Sequence, residues 1–396
     1  MISILHVIAD LAPESGGPAK ACVEMAQAVA KLGHHVEIYT TNYSPSVAQS
    51  QVGLTTVGNV NISTFPCQTP KFWKFSVPLG IALNQKIKNF DIVHLHSLYL
   101  FHNAATGLIC RRDKVPFIIR PHSILDPYIY KRHRLRKAFL ELLYESRNLN
   151  TANAIHCTSP EEMRLAAPVV GTKRSFVVPL GINIGDYELS NSESNFWAET
   201  LPQTLNKKVL LFLGRINFKK GLDFLIEVFS EIRKGREDVH LVVAGPDTDG
   251  YGQGVRKWIE ERKLEQDVTI LGMVQGKEKV SLLKFADLFL LPSHAENFGI
   301  SVVEAMVCKT PVIISKHVNL SDWLLPAQAG GVLPLETRQW VDLINEILDN
   351  KAFSDGFISK GRALVESTFL WSTVGPQLVE QYQRIIAESS LKRQIP

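Results

Sequence analysis

Two doubly wound α/β domains in tandem are the fold class this sequence predicts, and three observations predict it. Short apolar runs bounded by Gly, Pro or polar residues alternate with longer amphipathic stretches, the pattern of parallel strands covered by helices on both faces. The rhythm breaks over residues 189–207, which are Ser/Asn-rich and aperiodic, and then restarts. The length, 396 residues, exceeds what single cores usually support.

In the first half, strands are expected at residues 2–8, 35–40, 92–96, 116–120, 154–158 and 175–178. A helix over 19–32 fits between the first two, closed by Gly33, a residue type suited to a helix C-terminus. In the second half, strands are expected at 209–213, 240–244, 268–271, 288–291 and 312–314. Helices are expected at 222–234, 254–263, 278–285, 301–307 and 337–350. The domains are therefore placed at 1–188 and 189–373. A last amphipathic stretch, 374–389, follows the point where the second sheet should be complete and is expected to pack elsewhere.

Composition narrows the function. With 45% apolar and 21% charged residues the balance is that of an ordinary globular protein. A net charge of +4 is too mild to predict nucleic acid as a partner. The five cysteines are scattered, odd in number and lack a CxxC pair, which argues against a disulfide framework or zinc site and fits a reducing compartment. The N-terminus has no basic n-region and meets Asp10 early, so it reads as a strand and not a signal peptide. No apolar run approaches the ~20 residues of a membrane span. A cytoplasmic protein, soluble or at most peripheral, is expected.

Ligands of open parallel sheets bind outside the carboxyl ends of the strands, so residues just after each strand carry the information. Gly16-Gly17 could bring backbone amides to a phosphate at the next helix, or form only a loop turn. It is not GxGxxG and no matching acid follows, which disfavours a nicotinamide dehydrogenase. Arg215 and Lys220, in GRINFKKG, could together neutralise a leaving diphosphate, or form a solvated basic turn like Lys219 beside them. Glu296 lies before the helix expected near 299–301 and Glu304 about one turn inside it, so both can face one crevice and accept from sugar or ribose hydroxyls. The amides of Asn297 to Ile300 would point to the same ligand. His94 and His96 share a face of one strand, but no third ligand accompanies them and no metal is expected. His122 follows a strand and could orient an acceptor or stabilise developing charge. The run 131–137 (KRHRLRK) before 138–144, and 71–75 (KFWKF), are basic-aromatic patches that could face anionic lipid or a lipid-diphosphate acceptor, or be solvated surface.

Taken together, these residues resemble the retaining family-4 glycosyltransferases of GT-B fold, over essentially the whole chain. The most specific signal is E-x7-E, met by Glu296 and Glu304 in HAENFGISVVEAM; GGPAK, DIVHLHSLY, RPHSILDPY, FLGRINFKKG and AGPDTDG reinforce it in the right order. The resemblance implies two Rossmann-like domains facing a central cleft, with the terminal helix, and so 374–396, crossing back to an N-terminal acceptor domain. It implies that Arg215 and Lys220 grip the donor diphosphate. It also implies that Glu296 and the amides of Asn297, Phe298, Gly299 and Ile300 contact the transferred sugar, and that Glu304 holds the ribose. Gly272, Met273 and Val274 then read the base, Gly16, Gly17 and Gly245 line the donor site, and His122 lies near sugar and acceptor. The catalytic set is His122, Glu296, Arg215 and Lys220, acting by front-face substitution with no cofactor or metal. UDP-glucose is the expected donor and GDP-mannose the next. The expected acceptor is a saccharide or lipid-linked intermediate of cell-surface polysaccharide assembly, made at the inner face of the membrane. One departure stands out: Ser123 occupies a position where relatives often carry glycine.

Two other readings share the architecture. A non-hydrolysing nucleotide-sugar epimerase would bind the same donors without an acceptor. A non-enzymatic two-lobed ligand-binding protein would usually carry a secretory signal, and none is visible.

Overall fold

The structure, a computed structural model, describes all residues except 45–50, 131–133, 172–174, 191–195, 198, 248–249 and 395–396. It divides into two compact units, Met1–Gly181 with Trp371–Pro396, and Ile182–Leu370. The division falls earlier than residue 189, for a local reason. Ile182 donates its amide to the Phe369 carbonyl at 2.8 Å, and the Tyr187 hydroxyl donates to Glu304 at 2.9 Å. Residues 182–187 are therefore held by the second unit before the Ser/Asn-rich stretch begins.

The first unit is an eight-stranded sheet in the order β3-β4-β2-β1-β5-β6-β7-β8. The strands are β1 (Ser3–Asp10), β2 (His35–Thr41), β3 (Gly53–Val57), β4 (Val60–Phe65), β5 (Ile92–His96), β6 (Phe117–Arg120), β7 (Ala154–Cys157) and β8 (Ser175–Val177). All pairs are parallel except β3 with β4. The β3–β4 hairpin was not anticipated, because β3 is exposed along its whole length at the sheet edge and so has no apolar alternation to read.

Strand register gives the sheet two unlike faces. Leu5, Val7, Val93, Leu95, Ile119 and Ile155 fill an apolar core on one. On the other, His6 lies opposite His94 and His96 opposite Arg120, with His156 on β7 beyond, and all five are buried. Burial disfavours the charged imidazole and holds His156 at about 3 and His94 well below the ordinary value, so both are neutral. Their tautomers then follow from the partners. His156 Nε2–H donates to the Val178 carbonyl at 2.8 Å, which leaves Nδ1 to accept from His94 Nε2–H at 3.3 Å. His94 Nδ1 in turn accepts from the Tyr382 hydroxyl at 2.7 Å.

Tyr382 belongs to the terminal helix Trp371–Gln394, which buries Val374, Leu378, Tyr382 and Ile385 at helical spacing against this unit. The stretch left over after the second sheet thus completes the first unit, starting at Trp371 and not 374. Trp371 covers Gly181, where an added Cβ would come within 2.5 Å of the indole.

The second unit is a six-stranded parallel sheet in the order β11-β10-β9-β12-β13-β14. Its strands are β9 (Lys208–Leu213), β10 (Val239–Ala244), β11 (Val268–Gly272), β12 (Leu288–Leu291), β13 (Val312–Ser315) and β14 (Gly331–Leu333). The chain runs outward from β9 through β10 and β11, then returns to place β12 on the other side of β9. That reversal is the topological switch point, where such sheets open a ligand crevice. The three-residue β14 and the helix Lys351–Thr368, which fully buries only Gly361 and Val365, carry too little pattern to be seen in the sequence.

Candidate functional site

Three strand exits of the second unit are stitched together by backbone. Gly214 N–H reaches the Ala244 carbonyl at 3.0 Å, Ile216 N–H the Pro246 carbonyl at 2.9 Å, and Gly245 N–H the Gly272 carbonyl at 2.6 Å. Two glycines make this possible. A Cβ on Gly245 (φ +145°) would lie 1.8 Å from the Gly214 carbonyl oxygen, and one on Gly221 (φ +67°) 1.9 Å from that of Pro292. Gly245→Ala should therefore cost about 3 kcal/mol or more in a urea melt. Gly235→Ala, at a helix end with open space around it, serves as the control and should change little.

Onto this frame the loops after β9 and β12 bring opposite charges. The turn Phe218–Lys220 is capped by Asn217, whose side chain accepts from Lys219 N–H at 3.2 Å. His294 N–H donates to the Lys219 carbonyl at 2.7 Å and ties the two loops. Glu296 is fixed on both sides by the loop after β13, donating its amide to His317 O at 3.1 Å and accepting from Asn319 N–H at 3.0 Å. The outcome is a hydrogen-bonded ion pair between Lys220 Nζ and Glu296 Oε2, with side chains only 17% and 19% exposed. Burial works to raise the Glu296 carboxyl. The charge and hydrogen bond of Lys220, with Lys219 and Arg215 behind, outweigh it and hold the group below the usual carboxylate range. Arg215 is exposed and makes no hydrogen bond or ion pair among the described residues. Lys220 Nζ also overhangs Gly214, 3.7 Å from where a Cβ would stand. Three cations around one carboxylate leave an excess of positive charge at the switch point, suited to a dianionic or trianionic phosphate group.

The helix Ile300–Val307 starts at Gly299, which takes φ +74° as its N-cap, and its first amides have no partner inside the helix. Phe298 is buried against Trp323 and Phe369 and anchors the loop, while Asn297 and Ile300 are half-buried. Glu304 does lie one turn inside, yet it is nearly buried, and one carboxylate oxygen accepts from Lys279 at 2.7 Å and Tyr187 at 2.9 Å. The structure thus joins Arg215, Lys220, Gly245 and Glu296, and gives Glu304 a separate set of partners. Met273 is exposed and Val274 half-buried, just past Gly272 (φ +72°) at the end of β11.

In the first unit Gly16 takes φ +76° and caps the helix Gly17–Lys31, with open space around Gly17. His122 and Ser123 both adopt left-handed backbone, at φ 52° and 61°. Such positions cost energy and persist where surroundings impose them. Here Glu162 imposes it, accepting from Ser123 N–H at 2.9 Å and from Thr158 N–H and hydroxyl at 2.7 and 2.9 Å. Ser123 is thus held in this conformation through its backbone N–H. Glu162, Arg120, His6 and Asp10, which pairs with Lys74, were given no site role from the sequence. Only Glu162 had a signal, since Ser159 and Glu162 have capping-box spacing, but its carboxylate serves the His122 turn instead of its own cap.

The basic-aromatic patches lie partly outside the described residues, at 131–133. Beyond them Leu135 and Leu142 are 90% and 86% exposed, with Phe139, Leu143 and Phe72 also exposed. The Arg136 guanidinium sits 4.7 Å over the Phe72 ring. Among the described residues, no helix is long and apolar enough to cross a membrane.

Comparison with known proteins bears on the family and the fold. Residues 15–186 match the sequence model described as Glycosyltransferase Family 4, and residues 193–364 that described as Glycosyl transferases group 1. The chain is 25% identical to 2-deoxystreptamine N-acetyl-D-glucosaminyltransferase of Niallia circulans, over 93% of this chain and 97% of that one. It is 22% identical to an uncharacterised glycosyltransferase of Methanocaldococcus jannaschii, over 93% and 94% of the two. Among solved structures, Anabaena HepE in complex with UDP and glucose superimposes with a TM-score of 0.78 at 19% identity, covering 97% of this chain and all of that one. With one glycosyltransferase domain on each of its two parallel-sheet units, the chain belongs to the family-4 glycosyltransferases of GT-B fold.

Proposed function

We propose that this enzyme transfers a hexose, glucose from UDP-glucose in the first instance and mannose from GDP-mannose in the second, with retention of configuration and without a metal. The observation that carries the reading is the Arg215–Lys220–Glu296 cluster at the switch point of the second sheet. Its excess positive charge suits a diphosphate, and a carboxylate held ionised suits sugar hydroxyls. HepE, a protein of the same fold, has been solved with UDP and with UDP-glucose, which supports a uridine donor.

In the proposed mechanism Lys220 leaves Glu296 in part to meet the departing diphosphate, joined by Arg215. This is stabilisation aimed at charge that develops as the glycosidic bond breaks. The diphosphate oxygen then takes the acceptor's proton on the face it left, and His122 holds the sugar or acceptor. The proposed acceptor is a lipid-linked or saccharide intermediate of cell-surface polysaccharide. Exposed Leu135, Phe139, Leu142 and Leu143 beside basic residues support a peripheral contact with anionic lipid on the cytoplasmic side.

A thermal-shift panel tests the donor. UDP-glucose at about 100 times its Kd should stabilise by about 2.7 kcal/mol, a shift of several degrees that EDTA leaves unchanged. Transfer of radiolabel to a larger glycoside then identifies transfer. No shift with UDP-, GDP- or ADP-sugars would remove the reading.

A further inference from the structure

His122 is joined to a second series of buried imidazoles, distinct from the one that ends at Tyr382. His96 Nδ1 lies 3.2 Å from His122 Nε2, and His96 Nε2 lies 3.0 Å from His6 Nδ1 and 3.6 Å from Cys22 Sγ. His6, His96 and Cys22 are fully buried, whereas His122 is half-buried. Since its Nε2 is turned inward onto His96, the ring nitrogen that His122 can offer outward is Nδ1.

Neutral imidazoles linked this way have two proton arrangements. In the outward one, His6 Nδ1–H donates to His96 Nε2 and His96 Nδ1–H donates to His122 Nε2, which leaves a proton on His122 Nδ1. In the inward one every donor is reversed and His122 Nδ1 is bare. The inward arrangement strands an N–H at His6 Nε2, a buried atom with no partner among the described residues, and replaces with an N–H the His96 Nε2 lone pair that the Cys22 thiol otherwise shares with His6. The outward arrangement leaves only a lone pair at His6 Nε2. Arg120 is the main charge acting on His6, and its buried Nε and Nη1 have no hydrogen-bond partner among the described residues, so a lone pair there is favoured over an N–H. Burial also keeps the Cys22 thiol protonated, pushed up to about 12, and available as a donor. Burial first, and Arg120 second, hold His122 well below its ordinary value and hence neutral.

We propose that Cys22, His6 and His96 hold His122 in its Nδ1–H tautomer, so that His122 meets its ligand as a neutral hydrogen-bond donor and not as a base. The ligand atom is then an oxygen with a lone pair. This rests on the transferase reading only in taking that oxygen to belong to a sugar hydroxyl or a diphosphate. His96, His6 and Cys22 act through His122 and are positioning residues.

Two-bond ¹H–¹⁵N spectra of ¹⁵N-histidine-labelled protein distinguish the tautomers directly, with the His122 signals assigned by their loss in His122→Asn. His122 should show a protonated Nδ1 and a bare Nε2, unchanged from pH 6 to 8, with His94 and His156 as Nε2–H references. An Nε2–H tautomer at His122, or titration in that range, overturns the proposal. His96→Asn keeps a donor near the Nδ1 position and should preserve the His122 signature, while His96→Phe removes the donor and should mix the tautomers. If His96→Phe does not fold, the wild-type spectrum still decides. In turnover, His122→Asn, which sets an amide near Nδ1, should retain at least tenfold more activity than His122→Phe. A correct tautomer with no nucleotide-sugar binding would sink the transferase reading and leave this inference standing; donor binding with an Nε2–H His122 would do the reverse.

Discussion

Lys220→Met should lower turnover at saturating nucleotide-sugar by about 10²- to 10³-fold, the scale seen when one donor to a developing oxyanion is removed. The cluster gives the reason. Glu296 is kept ionised mainly by Lys220 against the effect of its own burial, and Lys219 and Arg215 add to the surrounding positive charge. Without the ammonium, two functions fail together: neutralisation of the diphosphate, and the ionisation that lets Glu296 accept from sugar hydroxyls. Stability separates chemistry from folding. The single variant leaves a mostly buried carboxylate without its partner, at a cost of about 1–3 kcal/mol. Lys220→Met/Glu296→Gln replaces both charges and should regain most of that stability while staying inactive. Turnover of Lys220→Met within tenfold of wild type would refute the role given to the cluster.

The reach of sequence reasoning differed between local and distant relations. The strand exit at Gly214 was legible as a glycine after an apolar run, and Gly245 and Gly272 through the family resemblance; a Cβ at Gly245 or Gly221 would strike backbone, whereas Gly272 has open space around it and takes φ +72°. The pairing of Lys220 with Glu296, 76 residues apart, has no local pattern. It exists because the sheet order sets β12 beside β9. Glu304 illustrates the opposite limit. Its place one turn into a helix followed from spacing, but its ion pair with Lys279 depends on how a neighbouring helix packs.

The first unit was harder to read for a related reason. His94 and His96 could be seen to share a strand face, yet what makes them part of a larger array is β1 and β7 on either side of β5 and β6, supplying His6 and His156. The helix that seals this row arrives from the far end of the chain. Tyr382 and His94 are 288 residues apart, and only the register of the sheet predicts that a hydroxyl is wanted there.

That row leads to an expected acid lability. Buried histidines whose pKa is lowered bind fewer protons folded than unfolded, so stability is lost as pH falls below the ordinary histidine value of 6.5. His6 and His156, both lowered to about 3 chiefly by burial, alone lose ~3 kcal/mol between pH 6.5 and 5, the slope of each approaching about 1.4 kcal/mol per pH unit below 6.5. His94, His96 and His122 shift in the same direction, and His102 to about 4. Glu145 works the other way. Burial raises its carboxyl from 4.5 to about 7, so the folded state binds that proton first and gains stability, by up to ~3 kcal/mol, as pH falls from 7 to 4.5. One group cannot offset six, and the total exceeds much of an ordinary 5–15 kcal/mol margin. The urea midpoint should therefore fall steeply from pH 6.5 to 5, and His156→Gln should reduce the slope by about one proton whatever it does to stability at neutral pH. A midpoint that stays flat over that range would mean that the imidazole row is not held neutral.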